Sequence, residues 1–297
     1  MMIENVLTEI HAAIVPDPRA VPARSGGTPP GFGLAHAALD GTVTGVGDWE
    51  LPFAVQSIAK VFGLALVLAA DGEQLWRRVG RQPSTERYDA LAALDGRRGI
   101  PHNPFVNAGA LVVVDRLHEL TGDAMNAVRR FLRAEAGDDG VDFDRAVARA
   151  ELEHRHRNAA IAHVVADHGN LRNPVAEVLR HYAWQCALTA SCRQLAVAGL
   201  FLARGGVRAD GERLLSSGLT KRLNAALLTC GTYDAAGDFA YTVGLPAKSG
   251  VGGGILAVMP GRGALCAWSP VLDASGNSVA GVDALGRFTT RTGWSVF

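Results

Sequence analysis

The side chains best suited to chemistry in this sequence are a serine and a lysine that lie three residues apart. They occur in Gln56-Ser57-Ile58-Ala59-Lys60, where a long apolar run begins. On a helix that starts at Ser57, both side chains lie on one face, and the positive end of the helix dipole would stabilise a developing alkoxide. A serine hydroxyl needs a nearby base to act as a nucleophile, and a lysine amine can be that base when burial lowers its pKa. The spacing therefore predicts a pair for acyl transfer.

The same two residues also have a purely structural interpretation. Ser57 can cap the N-terminus of the helix, and the stem of Lys60 can carry its amine out to water. Because Ser-x-x-Lys arises often by chance, a second motif is needed to favour catalysis.

The second motif is Lys248-Ser249-Gly250, which is followed by Val251 and three glycines. It is a poor fit to a phosphate-binding loop, because there the lysine follows the glycines. A Lys-Ser/Thr-Gly strand lines the site of penicillin-binding enzymes, and a backbone N–H of this segment can join that of Ser57 in an oxyanion hole. The structural alternative is a strand edge with a glycine-rich turn.

Composition restricts the class of partner and the compartment. Lys plus Arg and Asp plus Glu are both 29, so no basic excess predicts binding to nucleic acid or to an anionic membrane. The four cysteines form no Cys-x-x-Cys pair and keep no metal-ligand spacing with histidine, so we expect buried thiols and no zinc site; they are Cys186, Cys192, Cys230 and Cys266. No signal-peptide core and no membrane-length apolar run are found, which predicts a cytoplasmic protein.

The elements that must position these residues follow from periodicity and turn signals. The predicted elements are a helix over 2–14 ended by Pro16 and Pro18, a loop over 20–31, a hairpin at Asp40-Gly41, a helix over 57–71, mostly helices over 75–230, antiparallel strands after 238 and a final helix near 276–290. Since strands lie at both ends, the simplest packing pairs them in one sheet, with the helices as a second lobe. A cleft between the lobes is the natural place for a site.

Several longer stretches together resemble the serine-dependent glutaminase family, in matching order from about residue 30 to 285. They are FAVQSIAKVF, PHNPFVNAGAL, RNAAIA, YAWQC, CGTYDAAGDFAYTVGLPAKSGVGGGILAVMPG and WSPVLDASGNSVAG. The resemblance implies an α/β, β-lactamase-like fold in one domain over 1–297, with an α/β lobe over 1–66 and 231–297 and a helical lobe over 67–230. It also implies hydrolysis of L-glutamine to L-glutamate and ammonia through an acyl-serine intermediate, no metal or organic cofactor, and a homodimer or homotetramer.

The resemblance implies a role for each matching residue. Ser57 resembles the nucleophile and Lys60 its general base. Catalytic tyrosines are implied at Tyr182 and Tyr233, and which of them is the general acid stays open. Substrate-binding residues are implied at Ser57, Asn107, Glu151, Asn158, Tyr182, Tyr233 and Val251, and supporting residues at Gln56, Lys248, Ser249 and Gly250.

Three of these roles have a chemical interpretation. Glu151 and Asn158 match a pair that holds the amino-acid end of glutamine, and two helical turns between them let both face the cleft. A carboxylate suits an α-ammonium and an amide suits an α-carboxylate. Without the resemblance, Asn107 would be interpreted as a helix N-cap. The positive charge of Lys248 is expected to lower the pKa of Lys60, or the residue only orders its strand.

Two stretches depart from the family pattern. Ile14-Val15-Pro16 replaces Tyr-Ile-Pro, so a tyrosine that helps to hold the substrate carboxylate is missing, and Gln82-Pro83-Ser84-Thr85 replaces Glu-Pro-Ser-Gly. These changes concern substrate affinity and leave the acyl-transfer residues in place. Two other hypotheses therefore stand beside a glutaminase: another serine amidohydrolase of the same fold, such as a β-lactamase-like hydrolase or peptidase, and an inactive relative that acts as a binding protein.

Overall fold

Strands from both ends of the chain form one antiparallel sheet in the computed structural model, which describes residues 2–14, 31–84, 87–91, 94 and 96–297. The sheet has the order β2-β1-β8-β7-β6, with β1 Gly33–Ala38, β2 Val43–Gly47, β6 Ala247–Ser249, β7 Gly254–Met259 and β8 Gly263–Trp268. Strands β1 and β8 pair in the register Ala35 to Cys266, so the two chain ends meet at the middle of the sheet. The predicted pairing of the terminal strands is confirmed.

The hairpin between β1 and β2 turns at the predicted dipeptide. Gly41 has a φ of +91°, a conformation that glycine adopts at no steric cost. The carboxylate of Asp40 accepts a hydrogen bond of 2.9 Å from the backbone N–H of Thr42. The local turn chemistry therefore sets this register, as the sequence predicts.

The two faces of the sheet pack against different helices. On one face lie the terminal helices α1 (Ile3–Ala13) and α12 (Val279–Thr292), whose side chains Leu7 and Phe288 are fully buried. These bounds agree with the predicted helices at both ends. Ile14, which follows α1, is half-buried against the same apolar cluster, whereas Val15, the predicted stop at Pro16 and Pro18, and residues 20–30 of the predicted loop lie outside the described residues.

The helical part lies between the terminal strands in the chain. Its helices are α2 Ala59–Asp71, α3 Asn107–Thr121, α4 Ala124–Ala136, α5 Arg145–Glu153, α6 His156–Asp167, α7 Val175–Cys186, α8 Cys192–Ala198, α9 Leu200–Ala203, α10 Ser217–Cys230 and α11 Ala236–Thr242. Nine of the thirteen residues of α2 are buried, so it is apolar nearly all round and forms the centre of the larger core. The division into lobes at residues 66/67 and 230/231 stays a prediction.

Three local predictions differ from the structure. A strand is expected after residue 238, but Phe239 lies in helix α11 and the strand begins only at Ala247, after Gly244 and Pro246. A small second sheet joins β3 (Phe53–Ala54), β5 (Leu188–Ala190) and β4 (Asp142–Phe143); these strands are too short to produce a periodic pattern. The helix predicted over 57–71 begins at Ala59, after a 3₁₀ turn over Gln56–Ile58.

Among the described residues, no helix has the length and apolar character needed to cross a membrane.

Candidate active site

Ser57 lies in the 3₁₀ turn that connects strand β3 to helix α2. The preceding residue, Gln56, has a φ of +50°, a left-handed conformation that is uncommon for a side chain of this size and that marks strained turns at functional sites. Ser57 is 6% exposed, and Ile58 rather than Ser57 occupies the N-cap position of α2, so the interpretation of Ser57 as the cap of this helix is wrong. The turn presents a buried hydroxyl.

Lys60 follows on the first turn of α2, and its amine does not reach solvent. The residue is 6% exposed, and Nζ donates hydrogen bonds to the backbone oxygen of Phe105 at 3.1 Å and to Oδ1 of Asn107 at 2.8 Å. Burial lowers the pKa of Lys60 to about 8, because the charged form loses its hydration. The interpretation of Lys60 as a snorkelling residue is therefore also wrong.

Asn107 connects three other predicted residues. It is the first residue of α3, where its side chain turns into the site instead of capping the helix. Oδ1 accepts from Lys60 and, at 3.1 Å, from the hydroxyl of Tyr182, while Nδ2 donates to Oδ1 of Asn158 at 2.9 Å. One amide thus holds the amine, a phenol and the neighbouring amide in fixed positions.

Glu151 and Asn158 reach the site from two different helices. The expectation that one helix carries both is wrong, because the chain bends at His154 and Arg155, between α5 and α6. Nothing in the local sequence marks this break, which contains neither glycine nor proline. Oε1 of Glu151 nevertheless accepts a hydrogen bond of 3.0 Å from Nε2 of Gln56, the neighbour of Ser57. Both side chains therefore lie beside the serine–lysine pair.

The phenol of Tyr233 lies beside the serine. It donates a hydrogen bond to the backbone oxygen of Ser249 at 3.2 Å, and the Ser57 side chain contributes to its electrostatic environment. Burial raises the pKa of Tyr233 above its ordinary value. Tyr233 has a φ of +62°, which is also a left-handed conformation. Gln56 and Tyr233, two non-glycine residues with this uncommon backbone, therefore both lie beside Ser57.

Lys248 is a second buried amine close to this tyrosine. Its Nζ lies 4.0 Å from the centroid of the Tyr233 ring and donates to the backbone oxygens of Gly231 at 2.6 Å and Ser249 at 2.8 Å. It forms no ion pair with any described carboxylate. Burial lowers the pKa of Lys248, and repulsion from Lys60 lowers it further. Burial is the largest cause of the lowered pKa of Lys60. The expected contribution of Lys248 to that pKa therefore stays a prediction.

Tyr182 approaches the pair from helix α7. Besides its bond to Asn107, the side chain is 5% exposed and lies with its ring centroid 5.7 Å from Nζ of Lys60. Burial raises the pKa of this phenol well above its ordinary value. The two tyrosines therefore remain protonated at neutral pH, and either can donate a proton.

Two backbone amides near the serine have no partner among the described residues. They are the N–H groups of Ser57 and Val251, neither of which donates to another described group. The turn after β6, which contains Val251, lies close to the serine, since a Cβ on Gly250 would lie 3.3 Å from the nitrogen of Ser57. Ser249, predicted as a supporting residue, is fully buried, and its Oγ has no hydrogen-bond partner within the described chain.

The sequence interpretation missed three residues of this site. The ring of Tyr88 packs against that of Tyr233 with centroids 4.7 Å apart, and the carbonyl of Phe105 binds Lys60. Cys186, interpreted only as an inert buried thiol, interacts electrostatically with Tyr182, and burial raises the pKa of the thiol to about 12. The i, i+4 spacing of Tyr182 and Cys186 on one helix could have indicated this contact, whereas nothing in the local sequence indicates the other two.

The collected groups suit attack on a carbonyl carbon. They comprise a buried hydroxyl, an amine of lowered pKa, protonated phenols and two amides free to bind an oxyanion. A carboxylate and two side-chain amides border them. Among the described residues, no three His, Cys, Asp or Glu side chains are grouped to hold a metal ion.

Comparison with known proteins agrees with this arrangement. A model of the Glutaminase family matches residues 18–297. A glutaminase of Streptomyces coelicolor is 58% identical over 277 residues, covering 93% of this chain and 90% of that protein, and one of Paraburkholderia phytofirmans is 48% identical over 287 residues, covering 96% and 92%.

Solved structures show the same architecture. The probable glutaminase ybaS matches with a TM-score of 0.93 at 31% sequence identity, and the match covers 99% of this chain and 98% of the ybaS chain. A probable glutaminase of Bacillus subtilis has a TM-score of 0.84 at 30% identity, with 90% of both chains covered. The expected β-lactamase-like α/β fold is therefore confirmed. Since both the family model and the curated relatives extend over nearly the whole sequence, this chain belongs to the glutaminase family of enzymes.

Proposed function

We propose that this protein hydrolyses the side-chain amide of L-glutamine through an acyl-enzyme on Ser57, with Lys60 as the general base. The observation that carries the proposal is the hydrogen bonding of the buried amine. Nζ of Lys60 donates to Phe105 and to Asn107, and a neutral amine has two hydrogens. Its lone pair is therefore left for the serine proton.

The rim of the site fits the amino-acid end of glutamine. The carboxylate of Glu151 is the negative group available for the α-ammonium, and the side-chain amides of Asn158 and Asn107 provide donors for the α-carboxylate. The side-chain amide of glutamine then extends toward Ser57, with its oxygen directed at the N–H groups of Ser57 and Val251. The family name of the curated relatives supports this choice of substrate.

Acylation follows from this placement. The lone pair of Lys60 takes the hydroxyl proton as the serine oxygen forms a bond to the amide carbon, and the carbonyl electrons move to the oxygen between the two backbone amides. When the oxyanion collapses, the bond from carbon to nitrogen breaks. The nitrogen leaves as ammonia after it receives a proton from a tyrosine, for which both Tyr182 and Tyr233 are available. The Lys60 ammonium then gives its proton to that phenolate, so that both groups regain their starting protonation states.

Deacylation repeats these steps with water. Water attacks the ester carbon and gives a proton to the neutral amine of Lys60. The bond from carbon to the serine oxygen then breaks, and the Lys60 ammonium returns that proton to the serine oxygen. The sum is one glutamine and one water converted to one glutamate and one ammonia. No step requires an oxidant, a reductant or a second substrate.

The test compares two serine variants that differ only in position. Ser57→Ala should lower kcat/KM for ammonia release from glutamine by at least about 10³-fold, because removal of the nucleophile disables the whole catalytic unit. Ser217→Ala, at an exposed serine of helix α10, should retain wild-type activity. Circular dichroism should show the same fold in both, and an electrophilic diazoketone analogue of glutamine should label a peptide that contains Ser57.

The substrate panel separates the competing hypotheses. Glutamine, asparagine and nitrocefin are assayed with the same preparation, and glutamine should be the preferred substrate. Turnover of the lactam without ammonia release from glutamine would indicate another serine hydrolase of this fold. Binding of glutamine without turnover would indicate an inactive binding protein, and substantial activity in Ser57→Ala would contradict the mechanism.

A further inference from the structure

A cavity of about 740 Å³ lies beside helix α5, and the reaction proposed above makes no use of it. Its walls come from three parts of the chain: Arg129 of α4, the stretch from Asp142 to Arg155, and Trp184 of α7. Volumes of about 300–1,000 Å³ are typical of sites for small ligands. The cavity is therefore large enough for an organic molecule.

The walls of this cavity carry excess positive charge. Arg129 is paired with Asp142 at 2.8 Å, but Arg145, Arg149 and Arg155 form no ion pair within the described residues. Glu153 is the other acidic residue of the lining. Four guanidinium groups thus face two carboxylates. Arginine presents a planar set of donors that matches phosphate and carboxylate groups, so three unpaired arginines around one cavity favour an anion with several charges.

An aromatic pair forms another part of the lining. The rings of Phe143 and Trp184 meet edge to face with centroids 5.2 Å apart, and the guanidinium of Arg129 lies 4.9 Å from the centroid of Phe143. Aromatic rings offer an apolar surface on which a planar or hydrocarbon part of a ligand can pack. The cavity therefore combines charge recognition with an apolar wall.

The cavity is separate from the candidate active site. Arg145 and Arg149 are four residues apart and lie on one face of α5, whereas Glu151 lies about 200° around the helix axis from Arg149. The carboxylate of Glu151 bonds to Gln56 in the active site. Helix α5 therefore stands between the two, with Glu151 toward the serine and Arg145 and Arg149 toward the cavity.

We propose that this cavity is a second ligand site, which binds a small, multiply charged anion. The charged groups of the ligand bind Arg145, Arg149 and Arg155, and its apolar or planar part packs against Phe143 and Trp184. Organic phosphates and polycarboxylates share this chemistry. This inference is independent of the proposed reaction, because it concerns binding alone.

The experiment measures binding of ATP, pyrophosphate and citrate by calorimetry. Each titration is run at about 0.15 M ionic strength, where non-specific attraction is screened beyond about 8 Å. At least one probe should bind the full-length wild-type protein with a stoichiometry of one and a Kd below about 1 mM. The order of the three affinities distinguishes phosphate from carboxylate and shows whether a planar base contributes.

The matched variants test the location. The double variant Arg145→Gln/Arg149→Gln should raise the Kd by at least about tenfold, because charge-assisted hydrogen bonds are lost. Arg77→Gln, at an exposed arginine outside the cavity that forms no ion pair with a described residue, should leave it unchanged. Saturating glutamate should not displace the probe. The proposal is overturned if no probe binds, if the double variant binds the probe as tightly as Arg77→Gln does, or if glutamate displaces the probe.

Discussion

The protonation state of Lys60 is the critical property at the scale of single residues. The chain contains three lysines, of which Lys60 and Lys248 are buried in the site and Lys221 is exposed. A buried amine without a carboxylate partner loses hydration that its hydrogen bonds to neutral oxygens do not fully replace. The site therefore favours the neutral amine, which is the form that a general base requires.

This protonation state predicts a pH dependence. Since burial lowers the pKa of Lys60 to about 8, the neutral fraction rises about tenfold per pH unit below 8 and levels off above it. We expect kcat/KM for glutamine to follow the same curve, with activity low at pH 6 and increasing through pH 8. Lys60→Arg should lose activity at every pH, because a guanidinium stays charged.

A matched lysine variant serves as the control for this profile. Lys221→Met, on the exposed face of α10, should reproduce the wild-type curve. Initial rates of ammonia release between pH 6 and 9, at constant ionic strength, provide the measurement. A flat profile in this range, or one that falls with rising pH, would show that a neutral Lys60 is not the base.

At the scale of elements, the site depends on the close approach of two turns. The turn between β6 and β7 packs on the turn that carries Ser57, with almost no space between the backbones. A Cβ on Gly252 would lie 2.1 Å from the oxygen of Ala54, and one on Gly250 would lie 2.8 Å from the oxygen of Val55. The absence of side chains at these positions is what brings the amide of Val251 toward the nucleophile.

A single added methyl group should separate these two turns. Gly252→Ala should reduce the free energy of unfolding by about 1–3 kcal/mol, because the backbone must shift to accommodate the methyl group. We also expect a lower kcat, since the oxyanion donors move apart. Urea unfolding and initial-rate kinetics on the same preparation measure both effects.

Another glycine-to-alanine change provides the comparison. Gly237, on helix α11, has no atom within 4 Å of an added Cβ. Gly237→Ala should leave the activity unchanged and keep or raise stability by up to about 1 kcal/mol, because alanine is the better helix former. If both variants behave alike, close packing at Gly252 does not position the site.

At the scale of the whole molecule, the sheet holds together strands that are more than 200 residues apart in the chain. Val6 and Leu7 of α1 and Leu285 and Phe288 of α12 form an apolar cluster on the face that carries these terminal helices. The opposite face contacts the larger core around α2. Ser57 and the Lys248 strand therefore keep their relative positions only while both faces are packed.

Truncation of one core side chain tests this dependence. Phe288→Ala should cost about 3–5 kcal/mol of unfolding free energy, because a fully buried ring leaves a cavity. Val279→Ala, at a side chain 50% exposed on the same helix, should cost well under half of that. Urea midpoints decide between them, and equal losses would mean that α12 contributes little through this packing.

Assembly and compartment belong to the same scale. A homodimer or homotetramer, implied by the family resemblance, stays a prediction that light scattering on a sizing column can test. A cytoplasmic location likewise stays a prediction from the sequence.

The sequence by itself determined the features that depend on local spacing. The motifs at Ser57 and Lys248, the turn at Asp40-Gly41 and the helices at both ends follow from short-range pattern, because turn chemistry and apolar periodicity act over a few residues. It also indicated that the terminal strands pair, since their apolar faces need one another. Longer motifs shared with a known family supplied Glu151, Asn158 and the two tyrosines, which spacing alone could not select.

Only the tertiary structure decided which groups share a buried site and what their charges are. The break between Glu151 and Asn158, the packing of Tyr88 on Tyr233 and the carbonyl that binds Lys60 all depend on contacts between distant segments. The arginine-lined cavity likewise draws on residues from 129 to 184 that no periodic pattern connects. Burial sets the pKa of an amine, and burial is a property of the packed chain rather than of its neighbours in sequence.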